Sequence, residues 1–334
     1  MQVMSVLPPT APPAMHATQG LFTPQATEAL LPWKALAAEL EAVLQDGSVQ
    51  VPPRIVMPLP QGGSLFCMPA SDAQVAMTKL ITFTPGNAAT ARPTIQGDVT
   101  IFDIATGQRQ LIIDGPTVTA RRTAAVSLLA AQHHAPNPSG PLLIIGAGVQ
   151  GKSHLEAFAA GAGTREVWVA SRSLDSVRQL LDHAHALGLQ AYAATDLAQA
   201  AAHCPNIVTC TSAQAVVLQH APRPDAFIAA VGAFTPQMVE LAPSLCQHIA
   251  RQGQVIVDTA EAVHEAGDLL QAGLDVQSFP TLAQSLARQR PRPAGPVLFK
   301  SCGWGGWDLA AARLAARMHR QPVHANDDPP LQEP

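Results

Sequence analysis

Pro141-Leu142-Leu143-Ile144-Ile145-Gly146-Ala147-Gly148-Val149-Gln150-Gly151-Lys152-Ser153-His154-Leu155-Glu156-Ala157-Phe158 is the stretch whose reading decides the fold. The apolar run Leu142–Ile145 has the length of a buried strand, three glycines follow at Gly-x-Gly-x-x-Gly spacing, and a helix is expected from Gly151 onward. The three glycines serve different ends. Gly146 permits a tight turn, Gly148 lets the backbone approach a pyrophosphate, and Gly151 allows the helix to pack closely. The amides of the helix N-terminus then face the anion. A glycine pattern alone is weak evidence, but a strand before it, a helix after it and a second strand at Glu166–Ala170 about 20 residues on supply the setting of a dinucleotide site. The expected cofactor set is Gly146, Gly148, Val149, Gln150 and Gly151, together with Thr211 and Val231 at the ends of later strands.

The end of the second strand bears on which dinucleotide binds. It reads Val169-Ala170-Ser171-Arg172-Ser173, with no Asp or Glu to accept hydrogen bonds from ribose hydroxyls. Arg172 can meet a 2′-phosphate with charge-assisted bonds, and Ser171 and Ser173 can donate to it. The expectation is NADPH, with NADH left open as a second cofactor.

Outward from this point the chain alternates strands with alanine-rich helices. Leu174–Leu187 reads as a helix, and Ile207–Thr211, Ala226–Ala230 and Gln254–Asp258 read as further strands, the pattern of an α/β fold with a parallel sheet covered on both faces. Before residue 120 the texture differs. Ser64–Met68, Val75–Phe83, Gly97–Asp103 and Gln110–Asp114 are short strand candidates separated by turn clusters, which suggests an antiparallel sheet in an α+β unit. A helix over Thr119–His133 links the two parts, and a final helix, Trp307–Met318, is expected to pack back on the first.

Composition narrows the partners. The 334 residues, 47% hydrophobic and 13% charged, suffice for about two cores and exclude a disordered or fibrous chain. With 24 acids against 20 bases and no single-sign block, the chain has no basic face for nucleic acid. The five cysteines lack a Cys-x-x-Cys pair and read as reduced structural thiols, and the histidines lack ligand spacing, so no metal is expected. His133-His134 reads as a solvated helix end. No run approaches the roughly 18 to 20 apolar residues of a membrane span, and no secretory signal is evident, so a soluble cytoplasmic protein without a membrane partner is expected. The start, with Pro8, Pro9, Pro12 and Pro13, reads as a loosely ordered arm.

Three cations stand where local rules disfavour them. Period-2 alternation puts Lys79 on one face with Met77, Ile81 and Phe83, where an ammonium needs a partner. Arg121 and Arg122 follow Thr117 and Thr119, either of which can cap the helix, so they fall in or near a first turn that prefers acids. Arg54 follows the stiff pair Pro52-Pro53. Taken singly, each cation reads equally as a surface residue or a structural ion pair, and periodicity does not choose between Arg121 and Arg122. Together they suggest a carboxylate pocket beside the dinucleotide.

Several ordered segments carry a more specific resemblance: Lys79-Leu80-Ile81-Thr82 with Pro85-Gly86-Asn87, Pro93-Thr94-Ile95-Gln96-Gly97, Asp103 with Thr106-Gly107, Thr119-Ala120-Arg121-Arg122-Thr123-Ala124-Ala125, the Gly146–Gly151 loop, and Phe299-Lys300-Ser301. From about Val51 to Arg317 the chain resembles the ornithine cyclodeaminase and mu-crystallin family. The resemblance implies a homodimer joined through N-terminal sheets, with a Rossmann domain (residues 126–314) inserted into a discontinuous substrate-binding and dimerisation domain (residues 1–125 and 315–334). It also selects Arg122, the residue immediately before Thr-Ala-Ala, as the substrate-side arginine, with Arg54 and Lys79 as the other carboxylate-binding positions. The cyclodeaminases place a catalytic aspartate where this chain has Phe234, in Val231-Gly232-Ala233-Phe234-Thr235-Pro236. A phenyl ring takes no proton. The variant is similar to the family's bacterial reductases of cyclic ketimines, and implies NADPH-dependent reduction of Δ1-pyrroline-2-carboxylate and Δ1-piperideine-2-carboxylate. An alanine or opine-type dehydrogenase, a cyclodeaminase, and an NADPH-dependent ligand-binding protein like mu-crystallin remain the alternatives.

Overall fold

The computed structural model describes residues 21–320 except 91, 213, 220–222 and 288–294. The Pro8–Pro13 arm and residues 321–334, assigned above to the substrate-binding part, lie outside the described residues. Five antiparallel strands form the first sheet in sequence order: β1 (Ile55–Pro58), β2 (Ser64–Ser71), β3 (Val75–Phe83), β4 (Ile95–Asp103) and β5 (Arg109–Asp114). β1 is not among the strands the sequence suggests, since its four residues are all exposed and show no alternation. Along β3 the alternation holds: Val75, Met77, Lys79 and Ile81 are buried, while Phe83 sits at the rim. Register places Lys79 between Met68 and Val99, so an ammonium enters an apolar layer from the middle of the sheet.

Helices α1 (Pro24–Ala29), α2 (Trp33–Gln45) and α3 (Gly115–His134) pack beside this sheet, and the final helix, Gly305–Arg320, lies against α2, α3, β2 and β3, as expected. α3 starts earlier than the sequence suggests. Asp114 caps it by accepting from the Thr117 N–H at 2.8 Å, with Pro116 in the first turn, so Thr117 and Thr119 are not caps. Arg121 and Arg122 consequently stand in the second turn, beyond the strongest part of the helix dipole, and their burial has to be explained by side-chain partners instead. Its alanines let neighbours approach on every side, and Val126, Leu128 and Leu129 are buried, each worth about 1.5–3 kcal/mol. The helix end is not wholly solvated either, because His134 is buried and its Nε2 pairs with the Ser285 hydroxyl at 3.0 Å.

The second sheet is parallel. Its strands are β6 (Leu142–Ile145), β7 (Glu166–Ala170), β8 (Gln190–Ala193), β9 (Asn206–Thr209), β11 (Phe227–Ala230), β13 (Gln254–Val257) and β14 (Val297–Lys300), in the order β13-β14-β11-β9-β6-β7-β8; β10 (Gln214–Leu218) and β12 (Val239–Leu241) form a separate parallel pair. Every residue of β6, β9, β11 and β14 is buried, the mark of a sheet covered on both faces. From β6 the chain first adds strands on one side and then, from β9, on the other. That reversal opens a crevice at the strand ends, and α4 (Val149–Ala157) begins there; α5 (Leu174–Ala186) follows β7. Burial pushes the Cys204 and Cys246 thiols up to about 12, so both are protonated packing groups. Among the described residues no helix is long and apolar enough to cross a membrane.

Candidate active site

The glycine turn has the geometry its sequence implies. Gly146 holds φ at +118°, and a Cβ there would stand 2.7 Å from the Cys210 carbonyl oxygen. A Cβ on Gly151 would fall on the Gly146 carbonyl oxygen, so the α4 backbone can approach β6 only with glycine at that position. Gly148 is the reverse case: a Cβ on it would meet nothing within 4 Å. It is the N-cap of α4 and offers no side-chain oxygen to the first amides. Those amides, with open space in front of them, fit the pyrophosphate of a dinucleotide. Val149 is 72% exposed at the same mouth. At the end of β7, Ser171 is half-buried and Arg172 is exposed, its Nη2 3.4 Å from the Ser212 hydroxyl. Ser173 caps α5, accepting from the Ser176 N–H at 3.2 Å, a local role beyond the phosphate contact that the sequence suggests for it.

A cavity of about 450 Å³ lies between the two sheets at the crevice. Six of the expected residues line it together: Arg54, Lys79 and Arg122 from the first part of the chain, and Gln150, Thr211 and Val231 from the second. Gly146, Gly148, Val149, Gly151 and Ser171–Ser173 are not part of its lining and sit at the ends of β6 and β7. Phe66, Met68 and Ile81 give the first-sheet wall its apolar character, and Phe234 forms part of the opposite wall. The loop after β14, which also lines the cavity, is fixed by Asp258, whose Oδ2 accepts from the Ser301 hydroxyl and from the Cys302 and Gly303 N–H groups at 2.7 to 2.9 Å.

Each of the three cations already has a carboxylate partner, and none of these partners is identifiable from the sequence. Lys79, 1% exposed, donates from Nζ to Asp308 Oδ2 at 2.8 Å, and Thr119 Oγ1 is 3.4 Å away. Asp308 is fully buried in the first turn of the final helix, and its Oδ1 lies 3.3 Å from Arg122 Nε. Arg54 pairs with Glu265 on the short helix Ala262–Glu265. The three cations thus pair with two carboxylates, Asp308 being shared by Lys79 and Arg122. Lys79 is held down to about 8, chiefly by burial; the Arg122 and Arg54 charges act in the same direction and Asp308 opposes them. Proximity of the guanidiniums is a secondary cause.

Arg121 and Arg122 separate cleanly. Arg121 turns away from the cavity, donates from Nε to the Leu31 carbonyl at 3.0 Å, lies 3.8 Å over the Trp33 ring and stands 3.7 Å from Glu156. Arg122 enters the cavity beside Gly303. The one local signal for Asp308 is an acid in the first turn of a helix whose last turn is basic, which by itself reads as ordinary dipole complementarity.

This architecture, a parallel sheet of dinucleotide-binding type with an antiparallel sheet closing a cavity lined by cations, is that of a Rossmann-type α/β protein. Residues 23–319 match the ornithine cyclodeaminase/mu-crystallin family, and the chain belongs to it. It is 38% identical over 312 residues to Δ(1)-pyrroline-2-carboxylate reductase 1 of Burkholderia multivorans, covering 90% of this chain and 97% of that one. It is also 37% identical over 310 residues to the Δ(1)-pyrroline-2-carboxylate/Δ(1)-piperideine-2-carboxylate reductase of Azospirillum brasilense, covering 88% and 94%. In fold it is similar to the Δ(1)-pyrroline-2-carboxylate reductase of Thermococcus litoralis, solved with NADH and L-proline, with a TM-score of 0.81 at 22% identity over 90% of this chain and 97% of that one.

Proposed function

We propose that this protein reduces cyclic 2-imino acids, converting Δ1-pyrroline-2-carboxylate to L-proline and Δ1-piperideine-2-carboxylate to L-pipecolate, with NADPH preferred over NADH. The observation that carries this reading is the convergence of Arg54, Lys79 and Arg122 in one apolar cavity that also reaches Gln150, Thr211 and Val231. A reduced nicotinamide bound at the crevice supplies hydride to the C=N carbon. Three cationic side chains at one cavity suit the single carboxylate of such a substrate. Arg54 and Arg122 grip that carboxylate through their planar donors, with Arg54 exchanging Glu265 for the substrate. Lys79, held in place by Asp308, passes a proton to the imine nitrogen, a role suited to an ammonium whose titration lies near 8. Phe234, where the cyclodeaminases have their aspartate, gives a flat unsaturated ring an apolar wall and offers no base for an amine nucleophile.

In the same reading residues 126–314 carry the dinucleotide, and the flanking segments form the substrate wall and join two copies of the chain. Edge strand β1 supports such a homodimer by exposing Ile55, Val56 and Met57. The decisive experiment follows NADPH absorbance. It should fall when either cyclic imine is added and stay constant with ornithine alone; a requirement for added ammonia would point instead to an open-chain amino-acid dehydrogenase, and binding without oxidation to a carrier.

A further inference from the structure

Directly behind the cavity wall, four donors converge on one buried carboxylate that the mechanism above does not use. Glu240, at 0% exposure in β12, accepts at Oε1 from the Thr211 N–H at 2.7 Å and the Thr211 hydroxyl at 2.9 Å. Its Oε2 accepts from the Gly232 N–H at 2.7 Å and the Thr209 hydroxyl at 2.9 Å. The Glu240 N–H donates in turn to Asp268 Oδ1 at 2.6 Å, Asp268 Oδ2 lies 2.9 Å from Lys300 Nζ, and Lys300 donates to the Ala230 carbonyl at 3.3 Å. This knot ties the ends of β9, β11 and β14 together. Thr211, Val231 and Gly232, which line the cavity, are bonded to it or adjacent to it.

The donor set specifies the acceptor. An ionised carboxylate is acceptor-only at both oxygens, so it satisfies all four donors at once. An amide of the same shape would set its NH2 against a backbone N–H, that of Thr211 or of Gly232, whichever way it turned. The threonine hydroxyls can rotate to accept, but the backbone amides cannot, and one buried N–H would lose its partner. Gly232 leaves no slack, because a Cβ there would fall on Glu240 Oε1 and crowd the Thr211 carbonyl.

We propose that Glu240 is a positioning residue for the nicotinamide end of the dinucleotide, setting the Thr211–Gly232 wall against which the ring lies. The inference rests on the hydride-transfer reading of the cavity. Its test uses the full-length Glu240→Gln variant with two probes: NADPH, whose nicotinamide emission reports the ring's surroundings, and ADP-ribose, which carries no nicotinamide. ADP-ribose should bind within about twofold of wild type, the NADPH emission change on binding should be lost, and kcat should fall about tenfold to a hundredfold. Unchanged emission and kcat would overturn the proposal, and so would loss of ADP-ribose binding in parallel, which would make Glu240 a folding residue only. Should Glu240→Gln fail to fold, Thr209→Val removes one donor from the same carboxylate. A smaller loss of emission with ADP-ribose binding retained supports the proposal, and wild-type emission overturns it. A wild-type protein that oxidises no NADPH with either imine would defeat the proposed function, while the emission measurement would still report on Glu240.

Discussion

The glycine turn and the cation cluster border one crevice but are built by opposite means. Gly146–Gly151 is continuous in sequence, and what it offers a ligand is backbone amides and the absence of side chains. The cluster is made of side chains from β3, α3, the final helix and the segment before β1, and its central pair, Lys79 and Asp308, is 229 residues apart. Backbone sites of the first kind tolerate little change in shape and are insensitive to pH. A buried ion cluster depends on charge balance, since removing one partner of a buried pair costs about 3–5 kcal/mol. The two regions should therefore fail in different observables.

Lys79→Met should break the comparison most sharply. Turnover should fall by about a hundredfold or more while the Kd for NADPH stays near wild type; a parallel loss of cofactor binding would mean that the two regions are not separable. Arg172→Ala is the mirror image, with NADPH affinity falling roughly tenfold to a hundredfold, NADH affinity nearly constant and turnover at saturating cofactor preserved. Equal losses for both dinucleotides would remove the 2′-phosphate role. Next comes pH. In the proposed reaction the Lys79 ammonium is the donor form, so turnover should be full below about 8 and decline as pH rises through it. In Asp308→Asn the opposing negative charge is gone and the lysine titrates lower, so the declining limb should move toward acid by about one to three units. A limb that stays in place would show that another group donates the proton. The smallest effect is expected at Arg121→Met, which loses the contact with Trp33 and Glu156. Thermal unfolding should drop by the equivalent of about 1–2 kcal/mol, with turnover within about twofold of wild type.

Much of this molecule is legible in its sequence. Strands β6 and β7 match the expected Leu142–Ile145 and Glu166–Ala170, and β3 matches Val75–Phe83, because each is a short run whose periodicity and flanking turns agree. The burial of Lys79 follows from alternation along β3. The start of α3 does not, because Asp114 reads as the last residue of a strand, and the same aspartate also caps the helix. Glu265 and Asp308 escape notice for a different reason: an acid near a helix end is common, and nothing local indicates that it will meet an arginine or lysine from another sheet. Glu240 is hidden in the same way, since its four donors lie 8 to 31 residues away in sequence and three of them come from the end of β9 and just beyond it.

By itself the sequence determined the βαβ turn, the absence of an acid at the end of β7, and the unusual placement of a lysine on an apolar face. These follow from backbone sterics and side-chain periodicity, which act over a few residues. Periodicity left Arg121 and Arg122 open, the family resemblance selected Arg122, and the structure places Arg122 in the cavity. Only the tertiary structure decided which carboxylates pair with the cations and which buried acid is bonded to the wall. Those are pairings across space, where burial strengthens each charge and selects its partner, and no short stretch of chain contains both halves of the interaction.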